Sequence, residues 1–163
     1  MSTIAMAITG VLRAEIGGGT LAYGARLFRS FLDNGYIVEL LSDSLDLTFD
    51  NHWLAVNGFT GFGHVFPSSV VDETIVDTRL RQVRGIKADL QADLQFLVEQ
   101  DLRVIEKAFA NGIPCLAVMV PKYQRPEFRP DFTTGPKPWD DVKAEVDKER
   151  LLKASDTRIL EPQ

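Results

Sequence analysis

Polar side chains follow several short apolar runs of this sequence, and they are the groups that could bind or transform a ligand. Thr9 ends the first run, Ser42 ends the second, and the acids Glu99 and Asp101 follow a later one. Short apolar runs between turn signals predict buried parallel strands. Because ligands of open parallel sheets bind beyond the carboxyl ends of the strands, we predict the functional site at that edge.

For the other residues that could be reactive, the surrounding sequence favours structural roles. Cys115 lies within an apolar run without a neighbouring His or Lys, so we predict a buried small hydrophobe rather than a nucleophile. His52 and His64 lack partners at metal-ligand spacing, which favours surface or packing roles. No Lys-Ser or Lys-Thr pair follows Gly17–Gly19, so this run predicts a mobile flap rather than a phosphate loop.

The elements that must position these side chains alternate between strands and helices. We predict strands at Thr3–Ile8, Tyr36–Leu41, Gly63–Phe66, Gln95–Val98 and Pro114–Val120. We predict helices over residues 20–34, from Asp46 or Thr48 to Gly58, and over residues 72–87, 101–111 and 139–154. This alternation predicts an α/β fold, a three-layer Rossmann-like parallel sheet with helices on both faces.

Two features of the predicted helices concern single residues. Thr20 is a candidate N-cap of the first helix, and Gly35 stands where a glycine ends it. In the third predicted helix we expect three arginines, Arg79, Arg81 and Arg84, to line a solvated face.

Length and composition limit the classes of protein. A chain of 163 residues with 45% apolar residues suits one globular domain. We divide it into a core, residues 1–120, and a proline-rich loop with a C-terminal helix, residues 121–163, packed on that core as one domain. A net charge of −5 argues against general nucleic-acid binding. No apolar run reaches the roughly 18 residues of a membrane span, and the single cysteine indicates a reducing, cytoplasmic compartment.

The proline-rich loop combines basic and aromatic side chains in an acidic chain. Tyr123, Arg125 and Arg129 are candidates for contact with a protein partner, because aromatic residues and arginine are enriched at interfaces. The alternative is a surface wrap that packs the last helix.

Three segments resemble motifs of the haloacid-dehalogenase-like (HAD) superfamily. Ile4–Leu12 resembles the first motif, an apolar strand followed by Asp-x-Asp or Asp-x-Thr, a glycine and two apolar residues. Ser42 matches the second, a Ser or Thr that ends the next strand. Phe96–Asp101 with Gly112–Pro114 is similar to the fourth, a strand that ends in acids before a helix and a Gly-Ile-Pro turn. The tail after Pro121 resembles HAD-like proteins of actinobacterial phages.

The resemblance implies roles for these positions. In the family, the first aspartate attacks a phosphoryl group, and the residue two places on, here Thr9, is the acid/base. The late acids, here Glu99 and Asp101, bind magnesium together with the nucleophile. The third motif is a lone Lys or Arg that helps to hold the phosphate. The phosphate contacts implied for this chain are Ser42, Lys87 and Arg84.

The sequence departs from the family at the nucleophile, where it has Ala7. A methyl group neither attacks phosphorus nor ligates a cation, and Gln100 separates the two late acids. The alternative is that those acids start a helix and favour its dipole, and that Ser42 is a turn residue.

These observations predict a catalytically inactive HAD-like domain that binds a partner or has a structural role, and that needs no cofactor. The alternative is a Mg²⁺-dependent phosphatase or nucleotidase whose aspartate at position 7 has been replaced by alanine. A sensor of a phosphate-containing small ligand lies between the two. The segments after the first two motifs are too short for a full cap domain, and an open site suits a protein partner or self-association.

Overall fold

The structure is a computed structural model that describes residues 1–68, 73–119 and 139–155. The predicted partner contacts Tyr123, Arg125 and Arg129 lie outside the described residues. The chain divides into two compact units, Met1–Met119 and Val120–Gln163. The packing of the C-terminal segment on the core, as one domain, stays a prediction.

Parallel strands form one sheet in the first unit. They are β1 (Ser2–Ala7), β2 (Ile37–Leu41), β3 (Val65–Phe66), β4 (Asp93–Glu99) and β5 (Cys115–Ala117). Their order in the sheet is β3-β2-β1-β4-β5, and every neighbouring pair is parallel. The chain therefore winds outward from β1 in both directions, which makes the carboxyl ends of β1 and β4 a topological switch point.

Helices alternate with these strands. They are α1 (Ala22–Asp33), α2 (Thr48–Val56), α3 (Ile75–Asp89) and α4 (Leu102–Ala110) in the first unit, and α5 (Trp139–Ser155) in the second. Among the described residues, no helix combines the length and the apolar character needed to cross a bilayer. The segments that join β1, β2 and β4 hold only α1, α2, β3 and α3, so the described residues contain no full cap domain.

Two apolar clusters cover the two faces of the sheet. One joins β1 and β2 to α1 and α2 through residues such as Met6, Phe28 and Leu54. The other joins the sheet to α3 and α4 through residues such as Val83 and Val104. The three-layer α/β fold predicted from the alternation of strands and helices is confirmed.

The first helix begins differently from the prediction. Thr20 is not its N-cap, because α1 begins at Ala22 after Leu21, which makes no side-chain cap bond. The Thr20 hydroxyl donates instead to Oδ1 of Asn57, 2.9 Å away, at the end of α2. Gly35 follows α1 with a φ of 79° and its amide bonds to the Leu32 carbonyl, as predicted for a glycine that ends a helix.

A close approach between α1 and the loop after β1 depends on one glycine. Gly24 is buried in α1, and a Cβ at this position would overlap the carbonyl group of Val11. This contact seats α1 directly on the segment that follows β1, and so fixes the path of the chain beside the strand ends.

Candidate functional site

The carboxyl ends of β1, β2 and β4 bring three predicted site residues to one edge of the sheet. Ala7 is fully buried and pairs in register with Leu41, the residue before Ser42. Met6 pairs with Val98, so Ala7 and Glu99 follow that pair by one residue on neighbouring strands. The two positions therefore lie side by side at this edge of the sheet.

Arg79 of α3 lies at the centre of this edge, and its side chain is only 1% exposed. Its Nε donates to Oε2 of Glu99 at 2.8 Å, and one terminal nitrogen pairs with the Asp43 carboxylate. The other terminal nitrogen donates to Oε1 of Gln82 at 3.0 Å and lies 3.4 Å from the Ser42 carbonyl. The prediction that Arg79 belongs to a solvated helix face is wrong, because these acceptors lie inside the fold.

Each nitrogen of the guanidinium has an acceptor, and two of those acceptors are carboxylates. Burial acts against the positive charge, but the charges of Glu99 and Asp43 outweigh burial and raise the pKa of Arg79 above its ordinary value. The edge therefore holds a permanent cation that belongs to the protein itself.

The Glu99 carboxylate is also bonded on its other oxygen. Oε1 accepts the backbone amides of Gln100 at 2.8 Å and Asp101 at 3.2 Å. Both oxygens of Glu99 are therefore engaged by donors from the chain itself.

Asp101 is the N-cap of α4, where its side chain accepts the amide of Arg103 at 3.0 Å. Of the two interpretations of this residue, the helix-start role is confirmed. Its predicted role as a magnesium ligand gains no support from this geometry.

A second polar network joins the ends of β1 and β2. The Ser42 hydroxyl, which is fully buried, donates to the Asp50 carboxylate of α2. The other Asp50 oxygen accepts from a terminal nitrogen of Arg13 at 2.6 Å. The second terminal nitrogen of Arg13 donates to Oγ1 of Thr9 at 3.1 Å. Thr9 and Ser42, the predicted acid/base and phosphate contact, are thus linked through an internal Arg13–Asp50 ion pair.

Aromatic rings hold the guanidinium of Arg13 in this network. The rings of Phe49 and Trp53 lie 5.2 and 5.3 Å from it, within the range of a cation–π contact. The indole nitrogen of Trp53 also donates to the Gly18 carbonyl at 2.8 Å. The glycine run predicted as a flap is therefore tied to α2, although its mobility stays a prediction.

Arg84 and Lys87, the predicted third-motif residues, lie exposed on α3 and are not among the side chains gathered around Ser42 and Glu99. The arginine of α3 that contacts Glu99 and the Ser42 carbonyl is Arg79. A signal for it exists in the sequence, since Arg79 lies four and seven residues before the buried Val83 and Ile86 and so shares their helix face.

The residues at this edge do not fit a magnesium ion. The side chain of Ala7 supplies no oxygen, and both oxygens of Glu99 accept hydrogen bonds from Arg79 and from backbone amides. In the described ranges, no three His, Cys, Asp or Glu side chains are grouped as metal ligands. Mg²⁺ usually binds through one or two carboxylates together with waters or substrate oxygens, and the nearby carboxylates of Asp43, Asp50 and Asp101 are themselves engaged by Arg79, Arg13 and the Arg103 amide.

Three other titratable side chains, Glu39, His64 and Cys115, are not part of these two networks. Buried Glu39 accepts the backbone amide of His64 at 2.5 Å, and its carboxylate lies 3.2 Å from the His64 ring nitrogen. The thiol of Cys115 on β5 donates to the Ile113 carbonyl at 3.3 Å. Burial, and after it the charge of Glu99, raises the pKa of this thiol. A raised pKa opposes thiolate formation, so little of the reactive thiolate is expected at neutral pH.

Two solved structures of the Pnkp1/Rnl/Hen1 RNA repair complex contain chains that resemble this fold. Each match has a TM-score of 0.60 and 14% sequence identity over 75% of this chain. It covers 43% of the matched chain in one structure and 47% in the other, so the present chain spans less than half of either. No protein-family model and no curated protein sequence matches. At this identity the likeness shows a shared fold, the open α/β sheet.

Proposed function

We propose that this chain is a catalytically inactive HAD-like domain that acts as a binding or structural partner in a protein assembly. The observation that carries the proposal is Ala7, which is fully buried beside Glu99 at the position of the family's nucleophile. Covalent phosphoryl transfer needs a nucleophilic oxygen there, and the side chain of Ala7 is a methyl group.

The electrostatics of the edge support the same proposal. In an active member, a metal ion would balance the charge of the late acids and of the phosphoryl group. Here Arg79 balances Glu99 and Asp43 instead, and it does so from within the fold. The proposed domain therefore needs neither substrate nor metal to complete its site.

Several features support a protein partner or self-association. The segments that leave the ends of β1 and β2 carry the exposed apolar side chains Ile16, Leu45 and Phe49, and a partner that covered them would remove apolar surface from water. The two structures that share the fold are of a multi-protein complex. A cytoplasmic location and a phage origin remain expectations from the sequence.

The alternative function is a Mg²⁺-dependent phosphatase or nucleotidase whose aspartate at position 7 has been replaced by alanine. One observation favours it, since Thr9 and Ser42 still lie at the same edge as Ala7. An aspartate at position 7 would restore the Asp-x-Thr pattern.

Turnover measurements separate the two functions. We expect the protein to release no phosphate from p-nitrophenyl phosphate or nucleotides with added Mg²⁺ above an identically purified blank. We also expect the A7D variant, with A7N as its uncharged control, to stay inactive, because Arg79 still fills the cation position. Mg²⁺-dependent turnover by the unmodified protein contradicts the proposal, and turnover by A7D alone favours the alternative.

A further inference from the structure

Asp50 presents a buried carboxylate to a hydroxyl group and a guanidinium group. Its residue is 1% exposed, although it lies in the first turn of a surface helix. One oxygen accepts the Ser42 hydroxyl and the other accepts the Arg13 guanidinium. Hydroxyl and guanidinium groups donate hydrogen bonds to carboxylate oxygens and to phosphate oxygens alike.

We propose that Ser42 and Arg13 form an oxyanion site at the ends of β1 and β2, and that the Asp50 carboxylate fills this site in place of a phosphate-type anion. The inference rests on the contacts of these three side chains and does not depend on the absence of catalysis. It assigns Arg13, which the sequence motifs do not mark, as the cationic half of the site.

The donors are held by contacts that do not involve Asp50. Arg13 also bonds to Thr9 and lies against the rings of Phe49 and Trp53. The backbone of Ser42 is fixed by the bond from its amide to the Phe66 carbonyl, and its hydroxyl oxygen accepts the amide of Ser44, each at 2.9 Å. Removal of the Asp50 side chain should therefore leave the donors in place around a small vacant space.

A purely structural ion pair predicts different behaviour. If Asp50 served only to neutralise Arg13, any increase in ionic strength would compensate its loss equally well, because screening does not distinguish anions of one charge density. A preformed oxyanion site instead prefers an anion with several acceptor oxygens. A comparison of phosphate with chloride at equal ionic strength therefore distinguishes the structural ion pair from the oxyanion site.

The test uses the full chain with Asp50→Ala and inorganic phosphate as the probe. We expect D50A to melt at a lower temperature than the unmodified protein in chloride, and to recover by several degrees as phosphate is added at constant ionic strength. The unmodified protein should show no difference between phosphate and chloride, since its site is already filled. Binding to the native state alone produces such a concentration-dependent stabilisation.

Three variants serve as controls. D50N loses the charge but keeps the volume, so we expect destabilisation without a response to phosphate. D46A removes an exposed carboxylate that bonds to Thr48 just before α2, and it should not respond. The double variant R13A/D50A lacks the cation and should lose the response that D50A gains.

Equal effects of phosphate and chloride on D50A overturn the inference, as does an undiminished phosphate response in R13A/D50A. Should D50A not fold in chloride, refolding yield replaces the melting temperature. Recovery in phosphate but not in chloride then supports the site, and failure in both overturns it. None of these outcomes bears on the proposed lack of catalysis, which the turnover assays test separately.

Discussion

Arg79 and Glu99, twenty residues apart in the chain, form an ion pair whose side chains are 1% and 3% exposed. The pair connects α3 to the end of β4, directly beside Ala7. A buried pair contributes less than its contacts suggest, because both charges lose their hydration, but removal of one partner leaves the other charge uncompensated.

We therefore expect R79M to lower the free energy of unfolding by about 3–5 kcal/mol, measured by urea denaturation. The double variant R79M/E99M should recover part of that loss, since it leaves no unpaired charge at Glu99. R84M changes an exposed arginine of the same helix and should stay within about 0.5 kcal/mol of the unmodified protein. Equal effects of R79M and R84M would show that the buried pair has no special role.

Magnesium should not stabilise the protein. Because Arg79 and backbone amides engage Glu99, we expect MgCl₂ and NaCl at equal ionic strength to give the same melting temperature, with or without prior EDTA treatment. Calcium chloride controls for divalent cations in general. A rise in melting temperature specific to Mg²⁺ contradicts the conclusion that the edge does not fit this ion.

Alkylation of Cys115 should be slow at neutral pH. Burial and then the charge of Glu99 raise the pKa of this thiol above its ordinary 9.0, so the reactive thiolate forms only at higher pH. We expect the rate of reaction with iodoacetamide to reach half its maximum above pH 9.0, and E99Q to lower that midpoint. The free energy of unfolding should also fall at high pH. A group whose folded-state pKa is raised contributes stability that is lost as the pH rises from its ordinary pKa through the raised one. If the alkylation rate of Cys115 reached half its maximum at a lower pH than that of glutathione, the pKa of the thiol would be lowered rather than raised, and the prediction would be wrong.

Gly24 and Gly85 make a matched pair of helical glycines. The added methyl group of G24A overlaps the Val11 carbonyl, so we expect a loss of about 1–3 kcal/mol in the free energy of unfolding. In G85A the new Cβ lies 3.7 Å from the Asp89 carboxylate, an ordinary contact, and the better helix former should add about 0.5–1 kcal/mol. If G24A is as stable as G85A, α1 is not seated on the loop as described.

The sequence predicts the fold well because its signals are local. Apolar runs such as Ile4–Ile8 and glycines such as Gly35 act within a few residues, and the strands and helix ends follow them closely. The predicted bounds of the helices differ most from the observed ones where a capping side chain sets the first residue of the helix. The third helix was expected from Asp72, which lies outside the described residues, and it begins at Ile75 because Thr74 caps it by accepting the amide of Asp77.

The site could be predicted only in part, for a reason of distance along the chain. Ala7, Ser42 and Glu99 end their strands, so parallel pairing alone brings them together. The partners of Arg79 and Asp50 depend instead on how α3 and α2 pack, and the sequence pattern does not specify a side-chain rotamer. A charged residue in a charged helix is expected to face water, and only a buried countercharge from another element, such as Glu99, reverses that expectation.

The shortest strands of the described sheet are the ones at its edges, β3 with two residues and β5 with three. An edge strand recruits another chain by offering a row of unpaired amides and carbonyls, and a row of two or three residues provides few of them. Strand addition and edge-to-edge aggregation are therefore both disfavoured. A partner of this protein is expected to recognise side chains of its helices and loops rather than to extend its backbone ladder.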